Sequence, residues 1–258
     1  STLGRFVVRP VPGTGRPGTV ADCMGDSEIE IRLLETADEM SAVGTMFQQV
    51  WGSVIPVVET ELLCAIAHSG GYVIGAYDAG HIIGASFGFL GRYAGTESLH
   101  SHITGILPGV QHTGVGRAIK EHQRAWAVER GIAWITWTFD PLVRRNAWFN
   151  IEVIRAHVAE YLVDFYGRMT DSINGDDESD RVLVAWSTID DDPPTAPTGS
   201  RLVEVATPDD IVRLRRTDGA AATDWRYRVR AELGDAFAAG GVVTGFTRDG
   251  CYQIAVPG

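Results

Sequence analysis

The run Gly109-Val110-Gln111-His112-Thr113-Gly114-Val115-Gly116-Arg117 lies between an apolar, strand-like stretch, Leu99 to Leu107, and a helix-like stretch, Val115 to Arg130. That order suits an anion-binding turn. A strand that passes through a glycine-containing turn directly into a helix leaves several backbone N–H groups unpaired at the positive end of the helix dipole, where phosphate oxygens can meet them. Gly114 and Gly116 allow close approach because no Cβ stands in the way. Two other phosphate loops fail on residue type. A P-loop needs Lys and Ser or Thr after its last glycine, and Gly114 is followed by Val115 and Gly116. A dinucleotide fingerprint starting at Gly114 needs Gly or Ala at 119, which is Ile119. A plain helix N-terminus behind a convenient turn is the alternative reading of the same residues.

The order Gln111-x-x-Gly114-x-Gly116 matches the (Gln/Arg)-x-x-Gly-x-(Gly/Ala) signature of the GNAT superfamily of acyl-CoA-dependent N-acyltransferases, and the chain resembles those enzymes from about Glu28 to Ile189. Within the superfamily it is similar to an uncharacterised branch of predicted acetyltransferases, through His100-Ser101-His102, Lys120-x-x-Gln123-Arg124, Trp137 to Leu142 and Arg145-Asn146-Ala147. The resemblance implies that acetyl-CoA (coenzyme A) is the cofactor. Ile106, Leu107 and Gly109 would face the pantetheine and thioester, and Gln111 would brace the turn. The N–H groups of His112, Thr113, Gly114, Val115, Gly116 and Arg117 would surround the pyrophosphate. Asn146 or Asn150, one helical turn apart, would bond the pantetheine amides. Arg117, Lys120 and Arg124 share a helix face and could supply local positive charge, with a solvated face as the other reading for Arg124.

The amine must be neutral to attack a thioester, so a proton acceptor is needed, directly or through water. Many relatives carry a Glu on the strand before the turn. Here Ser98 to Pro108 contains none, and the candidates are His100 and His102, which share a strand face by their period-two spacing. For His102 three roles stay open: base or substrate contact, a hydrogen-bonded buried histidine, or a metal ligand, the last disfavoured because no Cys, His or carboxylate set completes a shell. No metal is expected. Relatives often protonate the leaving thiolate with a Tyr in a Tyr-x-x-Leu-Gly pattern, but Asn150 and Ile154 stand at the Tyr and Gly positions. Tyr161 or Tyr166 could reach the site from the next strand, both could be core anchors, or the thiolate could leave unassisted. Trp134 and Trp137 point to opposite strand faces, and core packing is expected for both.

These residues need a frame, and the apolar periodicity supplies one. It predicts strands at Ile29–Leu34, 71–77, His81–Leu90, Ser98–Leu107, Ile132–Phe139 and Arg181–Trp186, with helices over 36–50, 59–68 and 115–130. Asp78-Ala79-Gly80 predicts a hairpin turn. Asp140-Pro141 predicts a further helix with Asp140 as N-cap. The order β-α-α-β-β-β-α-β-α-β is that of the resembled fold. The expected class is α/β (α+β), a GNAT-type acyl-CoA N-acyltransferase fold whose mixed sheet is flanked by helices, with a small C-terminal βααββ module.

Residues 1–27, with five glycines and three prolines, predict a flexible leader with a short extended piece at Phe6 to Arg9, and 28–189 the acyltransferase domain. The stretch 190–199, Asp- and Pro-rich, predicts a linker. In 200–258 the order strand, helix, helix, hairpin repeats the opening of the chain, and Leu202 to Asp210 looks like Ile31 to Glu39. A partial repeat without a second Gln-x-x-Gly-x-Gly predicts a module that packs on the main domain or on a second subunit, so a homodimer is one way to cover its sheet edges. Its Arg213, Arg215, Arg216, Arg226, Arg228 and Arg230 could meet the acidic main domain or the cofactor's 3′-phosphate, or form a solvated face.

With 45% hydrophobic and 21% charged residues the chain has globular composition, and no window approaches the roughly 18 apolar residues of a membrane span. No basic region followed by an apolar stretch reads as a signal peptide, and Cys23, Cys64 and Cys251 form no disulfide framework, so a cytoplasmic protein is expected. The net charge of −11 is unevenly placed, since 28–189 holds 20 acidic and 11 basic residues while 200–258 holds 8 of each. Nucleic acid is thereby disfavoured as a partner and a cationic amine favoured. The expected activity is transfer of an acetyl or short acyl group from coenzyme A to an amine by direct attack. The alternatives are a non-catalytic acyl-CoA-binding regulatory protein and, more weakly, a scaffold whose terminal module binds another protein.

Overall fold

The computed structural model describes residues 6–8, 29–110, 113–167, 177–190 and 195–258. The chain divides into two units, 1–133 and 134–258, with the boundary inside the span that the sequence predicts as one domain.

The first unit carries strands β1 (Phe6–Val8), β2 (Ile29–Leu33), β3 (Tyr72–Asp78), β4 (His81–Tyr93) and β5 (Thr96–Ile106), and helices α1 (Ala37–Trp51), α2 (Thr60–His68) and α3 (Val115–Glu129). The strands lie in chain order. β1 runs parallel to β2, and every later pair is antiparallel. Within the expected leader, therefore, Phe6–Val8 is a paired strand; most of 1–27 lies outside the described residues. Thr36 starts α1 with a reciprocal cap: its hydroxyl accepts from Glu39 N at 3.3 Å, and the Glu39 carboxylate accepts from Thr36 N at 3.0 Å. The apolar spacing of α1 buries Met40, Val43 and Phe47 against Leu63 and Ile66 of α2 and against Val73, Ala85 and Phe87 of the sheet. The neighbour of Val73 faces the other way. Tyr72 stacks edge-on to Trp126 of α3, centroids 5.3 Å apart, and its hydroxyl bonds His122 Nδ1 at 2.8 Å. Strand alternation thus places α1 and α2 on one face of this sheet and α3 on the other.

The second unit carries β6 (Trp134–Phe139), α4 (Arg144–Trp148) running into a π-helical turn (Phe149–Val153), β7 (His157–Leu162), β8 (Arg181–Ser187), β9 (Arg201–Ala206), α5 (Ile211–Thr217), α6 (Gly219–Ala238), β10 (Val242–Phe246) and β11 (Cys251–Val256). β8 pairs antiparallel with both β6 and β7, and β11 pairs antiparallel with both β10 and β9. Two sequence expectations change here. Asp140 does not cap a helix: α4 starts at Arg144 behind Val143, and Asp140 instead folds Asp140-Pro141-Leu142 into an Asx turn, accepting from Leu142 N at 2.9 Å. Its second oxygen is held by distant arginines, which fixes the chain in the turn. The terminal module has the expected element order, but β9 pairs with the second hairpin strand, whereas β2 pairs with the first. The order of elements repeats and the pairing does not.

The module is bound into the second unit by charge. Arg226 of α6 meets Asp140 and Asp177, Arg215 of α5 meets the same two carboxylates, and Arg230 bonds Glu178 and Asp180. Of the three readings for this arginine cluster, contact with acidic residues of the preceding segment is therefore seen at Arg215, Arg226 and Arg230. Arg144 reaches Thr207 Oγ1 at 3.1 Å, and Tyr252 donates its hydroxyl to Pro141 O at 2.8 Å. Of the expected linker, 195–199 is coil and turn, and 191–194 lies outside the described residues. Among the described residues no helix is long and apolar enough to cross a membrane, and no three His, Cys, Asp or Glu side chains group as metal ligands.

Candidate active site

β5 ends at Ile106, and the chain turns away from the sheet through Leu107, whose N–H donates to Ile83 O at 2.9 Å. Ile106 and Leu107 are half-buried, and Leu107 packs on the α1–α2 core, as an ordinary strand end would. Gly109 has φ +97°, and a Cβ there would meet nothing within 4 Å, so this side of the turn is open. Thr113 Oγ1 donates to Val110 O at 2.6 Å and holds the loop closed before the helix. Gly114 then starts α3 at φ +92°, a left-handed conformation that β-branched residues strongly resist. Among the described residues no side chain caps this helix and its first turn holds no acidic residue, so the N–H groups of Val115, Gly116 and Arg117 lie at the positive end of the helix dipole, where an anion can meet them. Gln111 and His112 lie outside the described residues.

The basic face expected along α3 divides. Arg117 is exposed and pairs with Glu121 at 2.8 Å. Lys120 is not on that face. It is buried, with Nζ 3.1 Å from Ser101 Oγ and 3.0 Å from Gln123 Oε1, and complete burial pulls its pKa down to about 7. Gln123 Nε2 donates to the same Ser101 hydroxyl at 3.0 Å. Sequence reasoning misses this internal cluster, although Lys120 and Gln123 are both marked by the motif they share. The missing signal is tertiary: spacing along α3 alone does not tell which arc faces β5.

His100 and His102 come together as expected, with ring centroids 6.1 Å apart, but the strand between them is irregular. Phe87 pairs with Ile103 and Gly88 with Ser101, so His102 is the extra residue of a β-bulge. Only glycine fits opposite it, because a Cβ at Gly88 would lie 2.6 Å from His100 O. Phe89 contacts both imidazoles, at 5.2 Å and 5.7 Å between centroids, and Phe87 contacts His102 at 5.5 Å. His102 lines an open cavity of about 490 Å³ whose other walls include Val57, Leu62, Ile66, Phe87, Phe89 and Ile103, with Glu59 as its carboxylate. Desolvation lowers both histidines. His100 falls to about 4, with His102 and Lys120 adding repulsion, and His102 lies below its ordinary 6.5. Both rings are therefore neutral at pH 7, as a proton acceptor must be.

The remaining candidates belong to the second unit. Asn150 is buried and its amide oxygen accepts from Trp137 Nε1 at 3.1 Å, so this end of the side chain is taken by the core rather than offered to a pantetheine. Asn146 is half-buried. Tyr161 donates its hydroxyl to Asp180 at 2.6 Å, and burial beside that carboxylate raises its pKa well above 10, which suits an anchor better than an acid. Tyr166 bonds Thr138 Oγ1 at 3.2 Å. Trp137 is buried and packs edge-on to Trp186, in line with its expected core role, whereas Trp134 is half-buried and packs edge-on to His157.

No family model and no curated protein matches the chain. Solved structures do resemble it. The ribosomal-protein-S18-alanine N-acetyltransferase of Escherichia coli aligns at 16% identity and TM-score 0.49, over 66% of this chain and 97% of its own. Aminoglycoside 6′-acetyltransferase type Ii aligns at 12% identity and TM-score 0.49, over 62% and 97%. Ard1 of Thermoplasma volcanium aligns at 14% identity and TM-score 0.46, over 62% and 97%. These are distant likenesses that leave about a third of the chain unmatched.

Proposed function

We propose that the protein is an acyl-CoA-dependent N-acyltransferase that moves an acetyl or short acyl group from coenzyme A to an amine. The observation that carries this reading is the start of α3: a glycine at φ +92°, an N-terminus with neither an acidic residue in its first turn nor a side-chain cap among the described residues, and the open turn at Gly109 before it. These residues fit a pyrophosphate. Val115, Gly116 and Arg117 would donate their N–H groups to it, and acetyl-CoA would supply the acyl group as an activated thioester.

The reaction converts an amine and a thioester into an amide and a thiol. The nitrogen lone pair attacks the carbonyl carbon, the carbon–sulfur bond breaks, sulfur gains a proton and nitrogen loses one. In this chain the proton from nitrogen goes to His102, directly or through water, because its imidazole is neutral and lines the cavity beside β5. His100, more deeply desolvated, is the weaker base, and the pair cannot both hold protons cheaply at 6.1 Å.

Gly114→Val tests the reading. It puts a β-branched residue at a left-handed position and a side chain over the donors, so acetyl-CoA binding measured by calorimetry should fall at least about 100-fold. Backbone strain of roughly 1–3 kcal/mol should lower Tm by several degrees without unfolding the protein at 25 °C. Unchanged affinity in the folded variant would move the cofactor elsewhere.

A further inference from the structure

We propose that the cavity between α2, β4 and β5 is the acceptor subsite and that it takes a monoamine with a bulky apolar body, rejecting polyamines and other multiply charged acceptors. The assignment rests on the acyltransferase reading and adds a substrate class to it.

The walls decide the class. Val57, Leu62, Ile66, Phe87, Phe89 and Ile103 offer hydrocarbon and aromatic surface, and the cavity's volume of about 490 Å³ lies within the range of small-molecule sites, about 300–1,000 Å³. Leu62 and Phe89 remain 52% and 41% exposed, so apolar surface here is still open to be covered by a ligand. Two polar groups interrupt the lining, and they differ in role. Glu59, at the start of α2, spends no side-chain hydrogen bond on capping its helix, which leaves a carboxylate for one ammonium. His102 is held out of the ladder by its bulge and is neutral, so it attracts no cation but can accept the proton that the ammonium must lose.

A single carboxylate beside an apolar wall discriminates by charge. One ammonium finds a partner, and the rest of the ligand replaces water on Phe87, Phe89 and Leu62. A second or third ammonium would lose hydration against that wall without a counter-charge among the cavity's lining residues. The strongly acidic character of the whole chain draws cations in general, so selectivity has to come from this local lining.

The test measures thiol release from acetyl-CoA with phenethylamine, methylamine and spermidine, on the parent and on Leu62→Arg. Leu62 lies outside the cofactor turn and is exposed, so the variant should fold and bind acetyl-CoA as the parent does, which calorimetry checks. The expected result is kcat/KM for phenethylamine at least about 10-fold above both other amines, falling at least about 10-fold in Leu62→Arg. Preference for spermidine, or phenethylamine turnover unchanged in a Leu62→Arg protein that still binds acetyl-CoA, would overturn the acceptor assignment and leave the acyltransferase reading standing. Failure of the parent to bind acetyl-CoA would remove both.

Discussion

The guanidinium of Arg226, on the last helix of the chain, lies against the carboxylate of Asp140, with Nη1 3.1 Å from Oδ1 and Nη2 3.2 Å from Oδ2, and both side chains are buried. Two parallel N–H···O bonds of this kind fix orientation as well as charge. Arg215 and Asp177 extend the pair into a closed set, and Arg215 Nη2 reaches Asp140 Oδ2 at 2.6 Å. Asp140 is the residue that turns the chain after β6, so the terminal module holds the shape of the loop leading into α4.

Removing one partner should be far costlier than removing both. Arg226→Met leaves a buried carboxylate half-paired, and urea unfolding should show a loss of roughly 3–5 kcal/mol, while Arg226→Met with Asp140→Leu should recover part of it. The arginines hold the Asp140 carboxyl well below its ordinary 3.8. A depressed carboxylate contributes stability above the unfolded value and loses it as pH falls toward the folded one. The parent should therefore weaken below about pH 4, and a double variant whose stability dropped as steeply there would show that other carboxylates dominate.

Truncation after Ile189 should not yield a free-standing domain. It strips Asp140 of Arg215 and Arg226 and Asp180 of Arg230, leaving buried carboxylates without their cations. The expected product is aggregated or lacks fixed tertiary structure by NMR, whereas the intact chain should bind one acetyl-CoA by calorimetry. A soluble, active 1–189 fragment would make the module dispensable, and two sites per chain would make it a second binding domain.

What is legible in the sequence is local. Met40, Val43 and Phe47 announce the buried face of α1 by spacing alone, and the turn at Gly109 and Gly114 announces itself by residue type, because αL conformations and helix starts are decided within a few residues. Asp140 misleads for the opposite reason. Asp-Pro is a sound helix start locally, but its partners Arg215 and Arg226 are 75 and 86 residues away and outweigh the local preference. Lys120 fails the same way, since only the packing of α3 on β5 buries it. The pairing of β9 with β11 rather than β10 is likewise a choice between strands that spacing leaves equivalent. The bulge at His102 has a sequence correlate in Gly88, visible only once the register of β4 on β5 is known.

His102→Ala should separate chemistry from cofactor binding. His102 lines the cavity while the donors proposed for the pyrophosphate belong to α3, so acetyl-CoA affinity should stay within about 2-fold of the parent and kcat/KM should fall about 100-fold. In the parent, activity should decline as pH drops below the depressed imidazole value, below 6.5 rather than at it, because a protonated ring cannot accept a proton. His100→Ala should shift that acidic limb upward, since it removes a neighbouring ring from the site. A limb at the same pH in His102→Ala would assign the titration to another group.

Lys120 offers the last test, one in which substitution should stabilise. Its ammonium is buried beside Ser101 and Gln123, and its pKa in the fold is about 7 against an ordinary 10.5. Between those values the unfolded chain binds more protons than the folded one, so stability should rise as pH goes from 7 toward 10.5 and level off above. Lys120→Met keeps the length and apolar stem while removing the charge, so at pH 7 it should be more stable by roughly 1 kcal/mol or more, with the alkaline rise flattened. A less stable Lys120→Met protein that keeps the rise would mean that the hydrogen bonds to Ser101 and Gln123 outweigh the burial of charge. A more stable variant with reduced turnover would mean instead that the lysine is retained for its effect on His100, whose pKa is lowered mainly by burial and further by the charge on Lys120.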